Sequence, residues 1–95
     1  RERWLAAVAV LVTLLAAGAA PREVALRDAS KGGLGLAETL DLPPGAELRV
    51  RLMAGTVAAR VARHAPGGTS LAFRLDDAAA PVIAAFLAQL RPAAA

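Results

Sequence analysis

Apolar and polar residues alternate along much of this chain, in short runs that end at positions rich in glycine or proline. The alternation is clearest over residues 47–52, where Leu48, Val50 and Leu52 fall on one face of an extended segment and charged residues fall on the other. This period of two is typical of a strand with one buried face and one face in water. We therefore predict a β-strand here.

Five other segments show similar patterns and are also predicted to be strands. Breaks such as Pro43-Pro44-Gly45 and Pro66-Gly67-Gly68 separate several of them, because neither a helix nor a central strand accommodates these residues well. Short strands at fairly regular spacing are typical of a small barrel or sandwich. With no internal repeat or linker, we predict one all-β domain over residues 1–95. The five segments are residues 7–15, 23–28, 34–40, 56–63 and 71–75, with Val24, Leu26, Val57, Val61, Leu71, Phe73 and Leu75 among the inward positions.

Near its end the chain changes to a helical period. Asp76 and Asp77 place negative charge where a helix dipole favours it, and Pro81 suits a first turn. We predict a helix over residues 78–90 that covers one mouth or face of the barrel. Its apolar stripe consists of Val82, Ile83, Phe86, Leu87 and Leu90.

Residues 4–21 carry no charge and admit three interpretations. β-branched residues at Val8, Val10 and Val12 favour a first strand, followed by a loop over 16–21. A secretory signal with an A-x-A site at 17–19 is the first alternative, and a membrane helix is the second. The run is rich in alanine and lacks isoleucine and phenylalanine, so we favour the strand and expect no membrane span. Because the sequence opens on arginine, we expect a fragment of a longer protein.

Composition narrows the possible functions. The 95 residues contain 57% hydrophobic residues and carry a formal charge of +3. The absence of cysteine excludes disulfides, thiolate catalysis and thiolate metal sites, and a single histidine, His64, argues against a histidine-built metal centre. Three aromatic residues provide no row of stacking platforms for nucleic acid. We therefore expect a protein that is not an enzyme, holds no metal or cofactor and does not bind nucleic acid.

One motif carries more information. Residues 28–33 read D-A-S-K-G-G, which fits D-x-S-x-x-G with Asp28, Ser30 and Gly33. The motif falls in a predicted turn over 30–35, between the second and third strands. On residue types alone, Asp28 and Ser30 would cap backbone N–H groups of that turn, and Gly33 would supply a positive φ.

With six strands and a terminal helix around this motif, the chain resembles a PilZ domain, the bacterial receptor module for cyclic di-GMP. The resemblance covers essentially the whole chain and implies a six-stranded antiparallel β-barrel with one C-terminal α-helix. It also implies that Asp28 and Ser30 hydrogen-bond a guanine. In the family, an R-x-x-x-R motif ahead of the first strand grips the phosphates and guanines.

The chain departs from the family pattern in that arginine motif. Arg1 is followed four residues later by Leu5, and Arg3 by Ala7. Aligning the strand that follows puts Arg1 at the first position and Leu5 at the second, so one guanidinium is missing. Losing one charge-assisted phosphate contact costs on the order of 1.5–3 kcal/mol, or roughly 10- to 150-fold in affinity. We therefore expect weakened binding.

The resemblance thus implies a cytoplasmic regulatory domain that binds cyclic di-GMP, as a monomer or an intercalated dimer, and signals through a protein partner or an attached domain. The residues that would bind the ligand are Arg1, Arg3, Asp28, Ser30 and Gly33. A degenerate PilZ-like module that binds only protein is the alternative. A third interpretation is a small exported or membrane-anchored protein whose first 20 residues are a targeting segment.

The remaining polar residues are predicted to lie on the protein surface, in contact with solvent. His64 lies at a strand end and is expected to be a surface residue. Although Ser30, Asp28 and His64 could suggest a hydrolase triad, no G-x-S-x-G elbow surrounds the serine. A solvated outer face of the barrel is predicted for Arg49, Arg51, Arg60, Arg63 and Arg74, and a basic patch for an acidic partner or nucleic acid is the less favoured alternative.

Overall fold

A computed structural model describes the backbone of Trp4–Leu5 and of residues 10–92, with side chains from residue 10 to residue 90. Six antiparallel strands within these ranges close into a barrel in the order β2-β5-β6-β7-β4-β3, with β3 returning to β2. The predicted all-β fold with a six-stranded antiparallel barrel and one helix is confirmed. The elements are β1 (Trp4–Leu5), β2 (Leu11–Leu15), β3 (Arg22–Ser30), β4 (Gly33–Leu36), β5 (Glu47–Leu52), β6 (Gly55–Ala65), β7 (Gly68–Phe73), α1 (Ala79–Leu87) and β8 (Arg91–Pro92).

Strand β3 is long enough to pair with two partners along one edge. Its first half pairs with β2, where Leu11 lies opposite Ala25, and its second half pairs with β1, where Leu5 lies opposite Asp28. The two-residue strand β8 pairs with the other edge of β1. These two short strands were not predicted, because two residues are too few to display a period.

Alternation along the strands produces the core. The inward positions predicted in β3, β5 and β6 are all buried, as are Leu71 and Phe73 in β7. The prediction was wrong for Leu75, which is 66% exposed, because β7 ends at Phe73 and the chain then leaves the sheet. Leu40, the last residue of the predicted 34–40 strand, is buried but lies beyond the end of β4 and is not a strand residue.

The uncharged N-terminal run contributes the first barrel strand, β2. Val12 and Leu14 are buried, and Val10 is half-buried against the core, as the period of two predicts. Residues 16–21 form the expected loop, while Val8 lies outside the described residues. No helix in the described part of the chain is both long and apolar enough to cross a membrane.

Helix α1 packs its apolar stripe against β5 and β6. Ile83, Phe86 and Leu87 are buried, and Val82 and Leu90 pack partly buried against the core. The helix is shorter than the predicted 78–90, because the chain turns after Leu87 and enters β8.

The loop over residues 37–46 folds back onto the end of β6 and β7. There two hydrogen bonds hold His64: Nδ1 accepts from the Thr69 hydroxyl (2.8 Å), and Nε2 donates to the Leu42 carbonyl (2.5 Å). The expectation of a simple surface residue is therefore corrected: His64 is half-buried and fixes this loop.

Candidate functional site

The D-x-S-x-x-G motif lies on a tight hairpin and not in a six-residue turn. Only Lys31 and Gly32 form the turn, so Asp28 and Ser30 belong to β3 and Gly33 begins β4. The predicted turn over 30–35 was therefore wrong in extent. We refer to residues 28–35 as the motif hairpin.

A β-bulge at Arg27 sets the faces of the motif hairpin. Leu26 pairs with Leu36, and two residues later Asp28 pairs with Gly35, so Arg27 is an extra residue on β3. As a result, Ala29 points into the core and is fully buried, whereas Asp28 and Ser30 lie on the outer face. The carboxylate and the hydroxyl thus lie side by side on the outer face of the sheet, where both are mostly covered: Ser30 is 6% exposed and the Asp28 side chain 13%.

Glycines lie opposite both polar residues. Gly35 pairs with Asp28, and Gly33 pairs with Ser30, so bare backbone adjoins each side chain. Gly33 does not have the positive φ that was predicted. It is needed for a different reason: a Cβ at this position would lie 1.9 Å from the carbonyl oxygen of Leu71 on β7.

The bulged Arg27 lies across this bare surface. Its Nε is 3.3 Å from Oδ2 of Asp28. Cβ atoms built at Gly35 and Gly68 would fall 2.9 Å and 3.1 Å from its two terminal nitrogens. These two glycines leave room for the guanidinium, which in turn orients the carboxylate. Sequence reasoning missed Arg27, Gly35 and Gly68, although alternate glycines in G-L-G-L were a signal of an exposed strand face without side chains.

Ser30 and Asp28 offer different chemistry. Asp28 is mostly buried, with 13% of its side chain exposed, and is already paired with Arg27. Within the described chain the Ser30 hydroxyl has no hydrogen-bond partner. Its oxygen keeps contact with solvent, because every fully buried side-chain oxygen or nitrogen of the described residues is partnered. Together they provide an anionic acceptor and an available donor.

The N-terminal segment runs alongside this pair. In the β1–β3 pairing Leu5 lies opposite Asp28 and Trp4 opposite Ala29. The predicted ligand residues Arg1 and Arg3 lie outside the described residues, three positions and one position before Trp4 in sequence. The structure therefore brings together Asp28, Ser30, Gly33 and the backbone of Leu5.

Among the described residues, no three acidic, histidine or cysteine side chains cluster as a metal site would require. Comparison of the chain with protein-family models, with curated proteins and with solved structures found no match.

Proposed function

We propose that this protein is a PilZ-like regulatory domain that binds cyclic di-GMP at the motif hairpin. Three features support the proposal: a closed barrel of six antiparallel strands, the D-x-S-x-x-G motif between its second and third strands, and a helix after the last strand. In this proposal the domain works in the cytoplasm and passes the signal to a protein partner or an attached domain.

The pairing of β1 with β3 is the observation that carries the proposal. In the family the dinucleotide is held jointly by an arginine motif near the N-terminus and by the Asp and Ser of the hairpin. Leu5, at the second position of that arginine motif, lies opposite Asp28 across an antiparallel pair. Directly opposed residues have Cβ atoms about 4.5–5.5 Å apart, which allows one ligand to contact both segments.

The chemistry of the hairpin suits a guanine. The Asp28 carboxylate is an acceptor for the N–H groups on one edge of the base, and Ser30 provides a hydroxyl two residues along the same face. Arg27 fixes the carboxylate before any ligand arrives, which reduces the entropy lost on binding.

Leucine at position 5 favours a second candidate function. Without the second guanidinium, the hairpin lacks one of its strongest contacts to phosphate. A degenerate PilZ-like module that binds only a protein partner would retain the same fold but would bind no dinucleotide at the motif hairpin.

Calorimetric titration of the 95-residue chain with cyclic di-GMP, with GTP as the control ligand, tests the proposal. We expect selective binding that weakens at least about tenfold in Asp28→Asn, because a charge-assisted hydrogen bond is lost. Asp77→Asn removes the same charge from an exposed aspartate far along the chain and is expected to leave the affinity unchanged.

Leu5→Arg is the complementary gain-of-function variant. It restores R-x-x-x-R with Arg1, and we expect it to tighten binding by roughly 10- to 150-fold. If neither the parent chain nor Leu5→Arg binds at millimolar ligand while both remain folded, the receptor proposal is wrong and the protein-binding module is favoured.

A further inference from the structure

A second concave surface lies on the outside of the barrel, across β5, β6 and β7. It is an open groove of about 580 Å³, walled on one side by Leu15, Ala16 and Ala17 from the end of β2. We call it the arginine groove, after the three arginines among its lining residues, Arg49, Arg60 and Arg74.

The strand register explains why arginine and alanine meet here. Arg49 lies opposite Ala58, and Arg60 lies opposite Ala72. The N–H of Arg74 donates to the carbonyl of Ala58, which places it on the far side of the same alanine. The floor of the groove is therefore formed by the short apolar side chains of Ala58 and Ala72, and the longer arginine side chains flank each of them.

Within the part of the chain that the structure describes, the positive charges of this groove have no ion-pair partner. Arg22 and Arg27 each form an ion pair, with Glu38 and Asp28 respectively. By contrast, no carboxylate of the described residues lies within ion-pair distance of any of the three groove arginines. Glu47 is the acidic residue among those lining the groove, and although its backbone is paired with that of Arg60, the side chains form no ion pair.

We infer that the arginine groove is a binding site for a phosphorylated small molecule, specifically a nucleotide with two or three phosphates. Its volume falls within the roughly 300–1,000 Å³ of small-ligand sites. Guanidinium groups bind phosphate oxygens in a bidentate manner, and three of them match a polyphosphate. The alanine floor provides a flat apolar surface for a base, and Glu47 is an acceptor for sugar hydroxyls.

This site is separate from the motif hairpin. Ala72 on β7 lies opposite Gly33 of β4 on one side and opposite Arg60 of β6 on the other, so the two surfaces adjoin on the barrel. They share none of the side chains proposed to bind ligand. The inference therefore stands whether or not the hairpin binds cyclic di-GMP.

The test is calorimetric titration of the full chain with ATP, adenosine and inorganic triphosphate. We expect ATP to bind, and adenosine to bind at least about tenfold more weakly because it lacks the phosphates. Triphosphate alone is also expected to bind more weakly than ATP, because it makes no contact with the alanine floor.

Variants locate the site. Arg60→Gln and Arg49→Gln are expected to weaken ATP binding by about tenfold each, through loss of a charge-assisted contact. Arg51→Gln is the matched control, since Arg51 lies on the same strand as Arg49 and is exposed but does not line the groove. Asp28→Asn is expected to leave ATP binding intact.

Three outcomes would overturn the inference. The first is the absence of heat at millimolar ATP. The second is an equal loss of affinity in Arg51→Gln and Arg60→Gln, which would mean that the surface attracts anions only by its overall charge. The third is loss of ATP binding in Asp28→Asn but not in Arg60→Gln, which would assign the nucleotide to the motif hairpin.

Discussion

The hydroxyl of Thr69 lies 2.8 Å from Nδ1 of His64, and it also accepts the backbone N–H of Leu40 at 2.9 Å. Because the Leu42 carbonyl can only accept, Nε2 of His64 carries the proton of that bond, and in the neutral ring Nδ1 then accepts the hydroxyl proton of Thr69. This chain of bonds ties the 37–46 loop to the end of β6 and β7. Thr69 is completely buried, so the network is shielded from water.

Thr69→Val is therefore expected to destabilise the protein by about 2 kcal/mol. The substitution keeps the volume but leaves a buried N–H at Leu40 without an acceptor, which costs roughly 1–3 kcal/mol. The free energy of unfolding from urea denaturation measures the effect. Thr56→Val on the exposed face of β6 is the control, expected to change stability by less than about 0.5 kcal/mol. Equal losses in the two variants would contradict the role of Thr69.

Gly33→Ala is expected to cost at least about 2 kcal/mol. The new Cβ would lie 1.9 Å from the Leu71 carbonyl oxygen. Because that oxygen belongs to the backbone of β7, the contact can be relieved only if β4 and β7 move apart. Gly18→Ala is the comparison: Gly18 has a φ of 76° but nothing within 4 Å, so it carries only a conformational cost of about 1 kcal/mol. The urea midpoint reports both variants. A smaller loss at position 33 than at position 18 would contradict the close approach of these strands.

Phe73→Ala and Leu75→Ala compare the stability lost when a buried and an exposed side chain near the end of β7 are truncated. Phe73 is 4% exposed, and its truncation is expected to cost about 3–5 kcal/mol. Leu75 is 66% exposed, so its truncation is expected to change stability by less than about 0.5 kcal/mol. Thermal unfolding followed by circular dichroism measures both. A large loss at Leu75 would mean that this residue is covered in solution.

Asp76→Ala is expected to destabilise the protein by about 1 kcal/mol. Oδ1 of Asp76 accepts the N–H of Ala79 at 2.8 Å, beside a longer bond of 3.1 Å from the same N–H to the Asp76 carbonyl, so the substitution removes the shorter of two acceptors at the helix start. Asp77→Ala removes the same charge near the helix N-terminus without removing a side-chain hydrogen bond, and should cost only about 0.3 kcal/mol. Chemical denaturation distinguishes the two. Equal effects would assign the stabilisation to charge and not to the hydrogen bond.

The fold could be predicted from the sequence because most strands have one face in a closed core. Burial on one side imposes a period of two, and Leu48, Val50 and Leu52 display it without interruption. The same reasoning failed at Leu75, because hydrophobic alternation can run past the last hydrogen bond of a strand. It also missed β1 and β8, which pair through only two residues each.

The candidate site was harder to predict in detail. The motif residues were identified, but their position on strands depends on a turn of only two residues, Lys31 and Gly32. The contact between Arg27 and the surface over Gly35 and Gly68 joins the β3–β4 hairpin to the start of β7, more than 30 residues later in the sequence. No local pattern encodes such a contact, and the burial of His64 is another example, since it depends on a loop that returns from β4.

The extra residue at Arg27 has a consequence for the motif as a whole. Counted in steps of two, Val24, Leu26, Asp28 and Ser30 have the same parity, and a regular strand would direct all four into the barrel. A single inserted residue reverses that parity halfway along β3, so the apolar pair faces the core and the polar pair lies on the opposite face of the sheet. The chemistry of this hairpin therefore depends on a count of residues as much as on their identity. A chain with the same motif but one residue fewer before it would fold its carboxylate and hydroxyl towards the core.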